Sequence, residues 1–245
     1  MDLDRDETNQ APVVAGLPER AARRHHRVRS TGAAAIAGIA YAILNAVALL
    51  RLTRFPNLSL SDAELTAWFE DDRHQALLIG ALGLASISAI AFLWFVAVIR
   101  RRVGDREDQF FATVFLGSGI VYVAIWLMGA AAYASPAVAL TTLDAAGVTQ
   151  ASASLAGGIG ATLILVVAPR LQAVFVFTTS TVILRSGVLP TWLAFAGYAC
   201  GVVLFVVPLV TTPLGLLFPI WVLVVSLVML VVRPADLMVA APSEP

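Results

Sequence analysis

Long apolar runs separated by short polar segments dominate the chain, and each run is long enough to be a helix that crosses a membrane. A hydrocarbon core of ~30 Å takes about 20 helical residues. The runs are 33–52, 76–99, 110–133, 156–183, 190–210 and 213–232. The pattern predicts an all-α membrane protein in which residues 33–233 form a bundle of about six transmembrane helices.

The two ends of the chain have no apolar periodicity. Residues 1–32 begin with acidic residues and continue with a basic stretch, which predicts a disordered cytoplasmic tail with a juxtamembrane basic cluster. Residues 234–245 are interpreted as a short cytoplasmic tail. The cluster either binds anionic lipids of the bilayer or only sets the topology; its members are Arg20, Arg23, Arg24, Arg27 and Arg29.

The first run has a second interpretation. It is rich in Ala and Gly, and Ala46-Val47-Ala48 resembles the cleavage site of a signal peptide. The polar segment before it is unusually long, however, and the apolar run continues through Leu49 and Leu50. We therefore expect an uncleaved first helix.

The distribution of arginine predicts the orientation, because cytoplasmic loops are enriched in basic residues. If the N-terminus is cytoplasmic, only Arg51, Arg54 and Arg73 lie on the outer side. The cytoplasmic side then holds the basic cluster together with Arg100, Arg101, Arg102, Arg106, Arg185 and Arg233. Both termini are therefore predicted to be cytoplasmic, in a multi-pass protein of the inner cell membrane.

The loops on the outer side differ in character. Ser61 and Glu64 have the spacing of a capping box, and Leu65, Trp68 and Phe69 follow on one face. This predicts a short interfacial helix in the first outer loop, or alternatively a helix packed as a lid over the bundle. The second outer loop, about 134–155, is expected to be long and neutral.

Composition and charge exclude several classes of function. Net charge is zero, which argues against a nucleic-acid partner. A single Cys and three His give no metal-ligand spacing, and no cofactor motif occurs. Because the six runs contain no Asp, Glu or interior His, neither an enzyme nor a transporter that relies on an intramembrane carboxylate is expected.

One charged residue, Arg170, lies inside a run. It is ~20 Å from both ends of the long fourth run, at 1.5 Å per helical residue, and a charge at that depth needs a partner. Pro169 frees the carbonyl of Leu165, which is one candidate partner. Asn45, Tyr122 and Gln172 are further candidates by depth.

Two interpretations of Arg170 remain open. It either holds a kinked helix to its neighbours, or binds an anion or lipid headgroup. Thr178 and Thr181 fall on nearly the same helix face, and we expect that face to point into the bundle. The corresponding functions are the binding or movement of a lipid or small anionic molecule near Arg170, and a non-catalytic accessory or scaffold subunit packed on a membrane partner.

Gly197 and Gly201 have the G-x-x-x-G spacing that allows helices to approach closely. In a bundle of this size, packing inside the protein is the expected use, and a dimer interface is the alternative.

The C-terminal half contains distinctive segments, namely 170–175, Ser180-Thr181, 184–194, Gly197-Tyr198, 218–222 and Ser226. On these segments the chain resembles a group of actinobacterial six-helix integral membrane proteins of uncharacterised function. Members often have Arg where this chain has Thr191. The resemblance implies a six-helix bacterial membrane protein and no particular activity.

The predicted orientation can be tested with cysteine substitutions in a Cys200→Ala background. Cysteines at Ser61 and Asp144 should react with an impermeant thiol reagent in intact cells, because both positions are predicted to be outside. A cysteine at Asp105 should not react. The reverse pattern of labelling would overturn the orientation.

Overall fold

The computed structural model describes residues 17–57, 59–103, 109–143, 147–187, 189–207 and 212–231, and these residues form helices and turns without a strand. In chain order the helices are α1 (Leu17–Leu52), α2 (Asp62–Glu70), α3 (Asp72–Val103), α4 (Gln109–Thr142), α5 (Gln150–Ala161), a π-helix (Thr162–Val167), α6 (Ala168–Ser186), α7 (Thr191–Val206), α8 (Thr212–Gly215) and α9 (Leu217–Val231). The prediction of an all-α protein is confirmed for this part of the chain.

Within the described residues, five helical segments are long and apolar enough to span a membrane: Ala35–Leu52, Asp72–Arg100, Ala112–Thr142, Gln150–Ser186 and Pro213–Val231. The remaining apolar helix, α7, has 16 residues. At 1.5 Å per residue it is ~24 Å long, which is shorter than a typical hydrocarbon core of ~30 Å. The fold is therefore that of a multi-pass helical membrane protein.

Two predicted segments differ from the structure. Helix α1 begins at Leu17, so the second half of the predicted disordered tail, 17–32, is helical and continuous with the first span. Residues 1–16 and 234–245 lie outside the described residues. The second loop is also shorter than predicted, because α4 continues to Thr142 and α5 begins at Gln150.

Local hydrogen bonds explain both boundaries of that loop. Pro136 lies inside α4 and cannot donate to the carbonyl of Ala132, but the Ser135 hydroxyl donates to this carbonyl at 2.8 Å. Thr149 and Ser152 form a capping box that starts α5. Helix α4 therefore continues through Pro136, and α5 begins earlier than predicted.

Helix α2 was predicted from a capping box, and the structure confirms that motif. The Ser61 hydroxyl accepts from the Glu64 N–H at 3.4 Å, and the Glu64 carboxylate accepts from the Ser61 N–H at 2.9 Å. Hydrogen bonds from the side chain and backbone of Ser61 hold the pKa of the exposed Glu64 carboxyl below its usual value.

The apolar face of α2 packs against protein. Leu65 and Phe69 are fully buried in a small hydrophobic cluster with Leu78 of α3 and Ala137 of α4. The Trp68 ring stacks on His74, with ring centroids 4.0 Å apart. Because this face packs against protein, the prediction of an interfacial helix is corrected to the alternative, a helix packed over the ends of other helices. The end of the bundle that α2 covers is called the α2 end.

Polar contacts attach α2 to the start of α5. The Thr66 hydroxyl donates to the Val148 carbonyl at 3.1 Å and accepts from the Val148 N–H at 3.2 Å. The Asp62 carboxylate accepts from the Gln150 N–H at 2.6 Å, at a helix N-terminus where a negative charge is favourable. The two segments are therefore held together.

The long helices form a closed ring in the order α1, α3, α4, α6, α7, α9, with α9 returning to α1. Phe92 of α3 lies at its centre. The centroid of its ring is 4.8 Å from that of Tyr41, 5.2 Å from Tyr122, 5.1 Å from Phe175 and 5.8 Å from Phe218. All five rings are buried, so aromatic side chains fill the middle of the bundle.

Glycines allow the closest helix contacts. A Cβ on Gly38 of α1 would lie 2.0 Å from the Ser226 hydroxyl oxygen of α9 and 2.8 Å from the Phe95 ring. On α7, Gly197 faces Ser180 and Gly201 faces Phe177. The G-x-x-x-G pair therefore packs inside the protein, against α6, as expected from the sequence.

The Gly38→Ala variant should lower the free energy of unfolding by about 1–3 kcal/mol, because the added methyl overpacks the α1–α9 contact. Gly83→Ala is the matched control on α3, since a Cβ there meets nothing within 4 Å. It should be neutral or stabilise the helix by up to about 1 kcal/mol. Thermal unfolding in detergent compares the two variants, and equal stabilities would contradict the close α1–α9 contact.

Candidate functional site

Buried polar side chains from three helices meet beside the aromatic centre. The hydroxyls of Tyr41 and Tyr122 are 2.7 Å apart, and the Asn45 amide donates to the Tyr122 hydroxyl at 3.3 Å. The Gln172 amide lies close enough to the same hydroxyl to interact with it. The structure therefore brings together Asn45, Tyr122 and Gln172, which the sequence singled out separately; with Tyr41 they are called the polar cluster.

Tyr41 was not among the residues predicted from the sequence. The signal was present, because Tyr41 lies one helical turn before Asn45 and the two residues share a face of α1. All members of the polar cluster are neutral, and all are at most 6 % exposed. Such hydrogen bonds between helices stabilise a membrane bundle, and nothing in their chemistry points to catalysis.

Arg170 lies apart from the polar cluster. Its guanidinium Nη1 donates to the carbonyl of Val166, one residue beyond the predicted partner Leu165. The π-helix explains this difference, because its wider turn shifts the carbonyls relative to those of an α-helix. Among the described residues, no carboxylate forms an ion pair with Arg170.

The guanidinium is on the surface of the bundle. Arg170 is half-buried, and its neighbours Val166 and Val167 are 39 % and 36 % exposed. The helix face with Arg170, Thr178 and Thr181 was predicted to point into the bundle, but only part of it does so. Thr178 is buried and donates to the Val174 carbonyl, whereas Thr181 is half-buried and its hydroxyl lies 2.8 Å from that of Tyr198 on α7.

The depth of Arg170 also differs from the prediction. Helices α6 and α7 are antiparallel, with Thr181 beside Tyr198, Ser180 beside Gly197 and Phe177 beside Gly201. Continuing this register places Arg170 beyond Val206, the last residue of α7.

The start of the long fourth run accounts for that difference. Gly157 packs against Phe55, which follows the end of α1 at Leu52. The first part of the run therefore extends past α1 at the α2 end. Arg170 therefore lies nearer to the α2 end than its position in the middle of the apolar run predicted.

Metal ligands and the cysteine were considered within the described part of the chain. No set of three or more His, Cys, Asp or Glu side chains there is arranged to hold a metal ion. Cys200 is buried and is not in a disulfide. The polar cluster and Arg170 are therefore the features from which a function can be argued.

The chain matches no protein-family model, and no curated protein or solved structure is similar to it. The fold and the partly exposed guanidinium of Arg170 define its class, a multi-pass helical membrane protein with a cationic group on its surface.

Proposed function

We propose that this protein is a non-catalytic protein of the bacterial inner membrane that binds a phosphate-type anion, in the first place a lipid headgroup, at Arg170. The observation that carries the proposal is a half-exposed guanidinium on an otherwise apolar surface. A guanidinium has five N–H donors, and the Val166 carbonyl occupies only part of that capacity.

The sequence offers no counter-ion inside the membrane. Across the five membrane-length segments the only carboxylate belongs to Asp72, at the first position of α3. A cation in an apolar environment needs an anion or water. Phosphate suits Arg because the planar guanidinium can donate two parallel hydrogen bonds to it.

The position of Arg170 along the bundle supports a lipid as the source of the phosphate. A bilayer that covers α7 has its boundary at the α2 end close to the level of Arg170. Long basic side chains reach such a boundary while their carbon stems stay in apolar surroundings. The headgroup of a lipid in that leaflet is then within reach of the guanidinium.

The filled interior favours binding at the surface over movement through the centre. Tyr41, Phe92, Tyr122, Phe175 and Phe218 are each at most 1 % exposed and occupy the middle of the helix ring. A polar molecule would have to displace these rings to pass along the bundle axis. The proposal is therefore restricted to binding.

We further propose that the chain has six spans, of which α7 is the short sixth one. Both termini then lie in the cytoplasm, and the α2 end lies outside. The arginine distribution supports this orientation. The basic cluster from Arg20 to Arg29 would then lie near anionic lipids of the inner leaflet. The resemblance of the C-terminal half to actinobacterial membrane proteins agrees with a bacterial source.

A second candidate function, a non-catalytic accessory subunit, is favoured by the surface of α4. Gly117, Ala124 and Ala131 are exposed at seven-residue spacing on one side of this helix. Small residues allow close helix approach in membranes, and the filled interior is equally compatible with this role. A membrane partner that co-purifies with the wild type and is lost on Ala124→Leu would favour it.

Thermal unfolding of Arg170→Leu tests the binding proposal. Phosphatidylglycerol should raise the melting temperature of the wild type in neutral detergent. At a lipid concentration of a hundred times Kd, the free energy of unfolding should increase by about 2.7 kcal/mol. It should not do so for Arg170→Leu. Arg54→Leu, which removes an exposed arginine just after α1, is the matched control and should respond like the wild type.

Two further conditions separate the sources of the anion and the role of Arg170. Inorganic phosphate in place of the lipid shows whether a free anion is sufficient. Without an anion, Arg170→Leu should be as stable as the wild type or more stable, because an imperfectly compensated charge is removed. A loss of about 1–3 kcal/mol, with no anion stabilising the wild type, would instead assign Arg170 a purely structural role.

A further inference from the structure

A small cavity lies inside the bundle, next to the polar cluster. Its walls include Asn45 of α1, Trp126 of α4, Pro169 and Gln172 of α6, and Gly215 of α8. The volume open to the centre of a water-sized sphere is about 10 Å³, close to the least that one water molecule needs.

Trp126 contributes a hydrogen-bond donor that has no protein partner. The side chain is 2 % exposed, and its indole Nε1 is buried without an acceptor among the described residues. An indole N–H can only donate. Leaving it unpaired inside a protein is unfavourable by about 1–3 kcal/mol, so the site requires an acceptor.

The two amide side chains supply the complementary groups. Asn45 uses its Nδ2 to donate to Tyr122, which leaves its oxygen able to accept. Gln172 carries a second amide oxygen, which can also accept. A molecule in this cavity can therefore accept from Trp126 and donate to at least one oxygen.

We infer that the cavity between α1, α4 and α6 binds one water molecule, which accepts a hydrogen bond from the Trp126 indole and donates to Asn45 or Gln172. The volume is too small for a larger ligand. A bare cation would be disfavoured, because the Trp126 indole N–H can only donate. Internal waters of this kind usually make about three hydrogen bonds to otherwise unpaired groups.

The bound water extends the polar cluster across the bundle. The water adds Trp126 to the hydrogen bonds that connect three helices. The residues are Tyr41 and Asn45 of α1, Tyr122 and Trp126 of α4, and Gln172 of α6. It lies beside Pro169, where the π-helix gives way to α6. The inference does not depend on lipid binding at Arg170.

Trp221 provides a comparison within the same protein. Its indole Nε1 is also buried without a protein acceptor, and the side chain is 5 % exposed. However, this nitrogen is 3.1 Å from the position that a Cβ on Gly197 would occupy, so the indole packs closely against α7. Trp221 therefore serves as a buried indole that packs against α7 and does not line this cavity.

X-ray radiolytic footprinting tests the inference, because radiolysis of a bound water oxidises the side chain beside it. The full-length protein in lipid nanodiscs is irradiated, and the oxidation rates of Trp126 and Trp221 are measured by mass spectrometry. Trp126 should be oxidised several-fold faster than Trp221, although it is the less exposed of the two. Equal rates, or a slower rate at Trp126, would overturn the inference.

Two variants locate the effect. Gln172→Leu removes an acceptor and fills part of the cavity, so the rate at Trp126 should fall to that of Trp221. Thr179→Val changes a buried polar residue of the same helix that does not line the cavity and should leave Trp126 unchanged. An excess rate at Trp126 that persists in Gln172→Leu would contradict the assignment. Should Gln172→Leu fail to fold, a rise in the Trp221 rate reveals it, and Asn45→Leu repeats the test.

Discussion

The hydrogen bond between Tyr41 and Tyr122 connects the helices at the centre of this protein. Each hydroxyl is carried into an apolar interior by a ring that packs against Phe92 and Phe218. A buried hydroxyl without a partner is unfavourable, so the position of α1 is tied to that of α4. Asn45 and Gln172 gather around the same oxygen, and α6 is thereby tied to both.

This arrangement determines where function can reside. The middle of the bundle is filled with aromatic rings, and the members of the polar cluster are engaged with one another. Within the membrane-length segment Gln150–Ser186, Arg170 is a charged side chain that lies away from both ends. Because the π-helix and Pro169 precede it, Arg170 bonds to its own helix and still presents donors at the surface. Recognition of an anion at this surface is the chemistry that the arrangement supports best.

Much of this architecture could be predicted from the sequence. Apolar runs of membrane length predict helices, and the capping box at Ser61 and Glu64 predicts α2, because both signals are local. Asn45, Tyr122 and Gln172 were predicted from their depth as partners of Arg170; in the structure Asn45 and Gln172 lie at the Tyr122 hydroxyl, whereas Arg170 donates to the Val166 carbonyl. Tyr41 could also have been found, since it precedes Asn45 by one turn.

Other features depend on tertiary structure and could not be predicted. The continuation of α4 through Pro136 relies on one hydroxyl, that of Ser135, which takes over the lost hydrogen bond. The depth of Arg170 could not be read from the middle of its apolar run. That run continues past the end of α1, where Gly157 packs against Phe55, so its middle is not the middle of the bundle.

A double-mutant cycle of Tyr41→Phe and Tyr122→Phe measures the central interaction most directly. Each single variant should lower the free energy of unfolding by about 1–3 kcal/mol, because it removes one side of the buried hydrogen bond between the two hydroxyls. The double variant should lose clearly less than the sum of the two single losses, since no hydroxyl of the pair is then stranded. Additive losses, or single variants as stable as the wild type, would contradict the account.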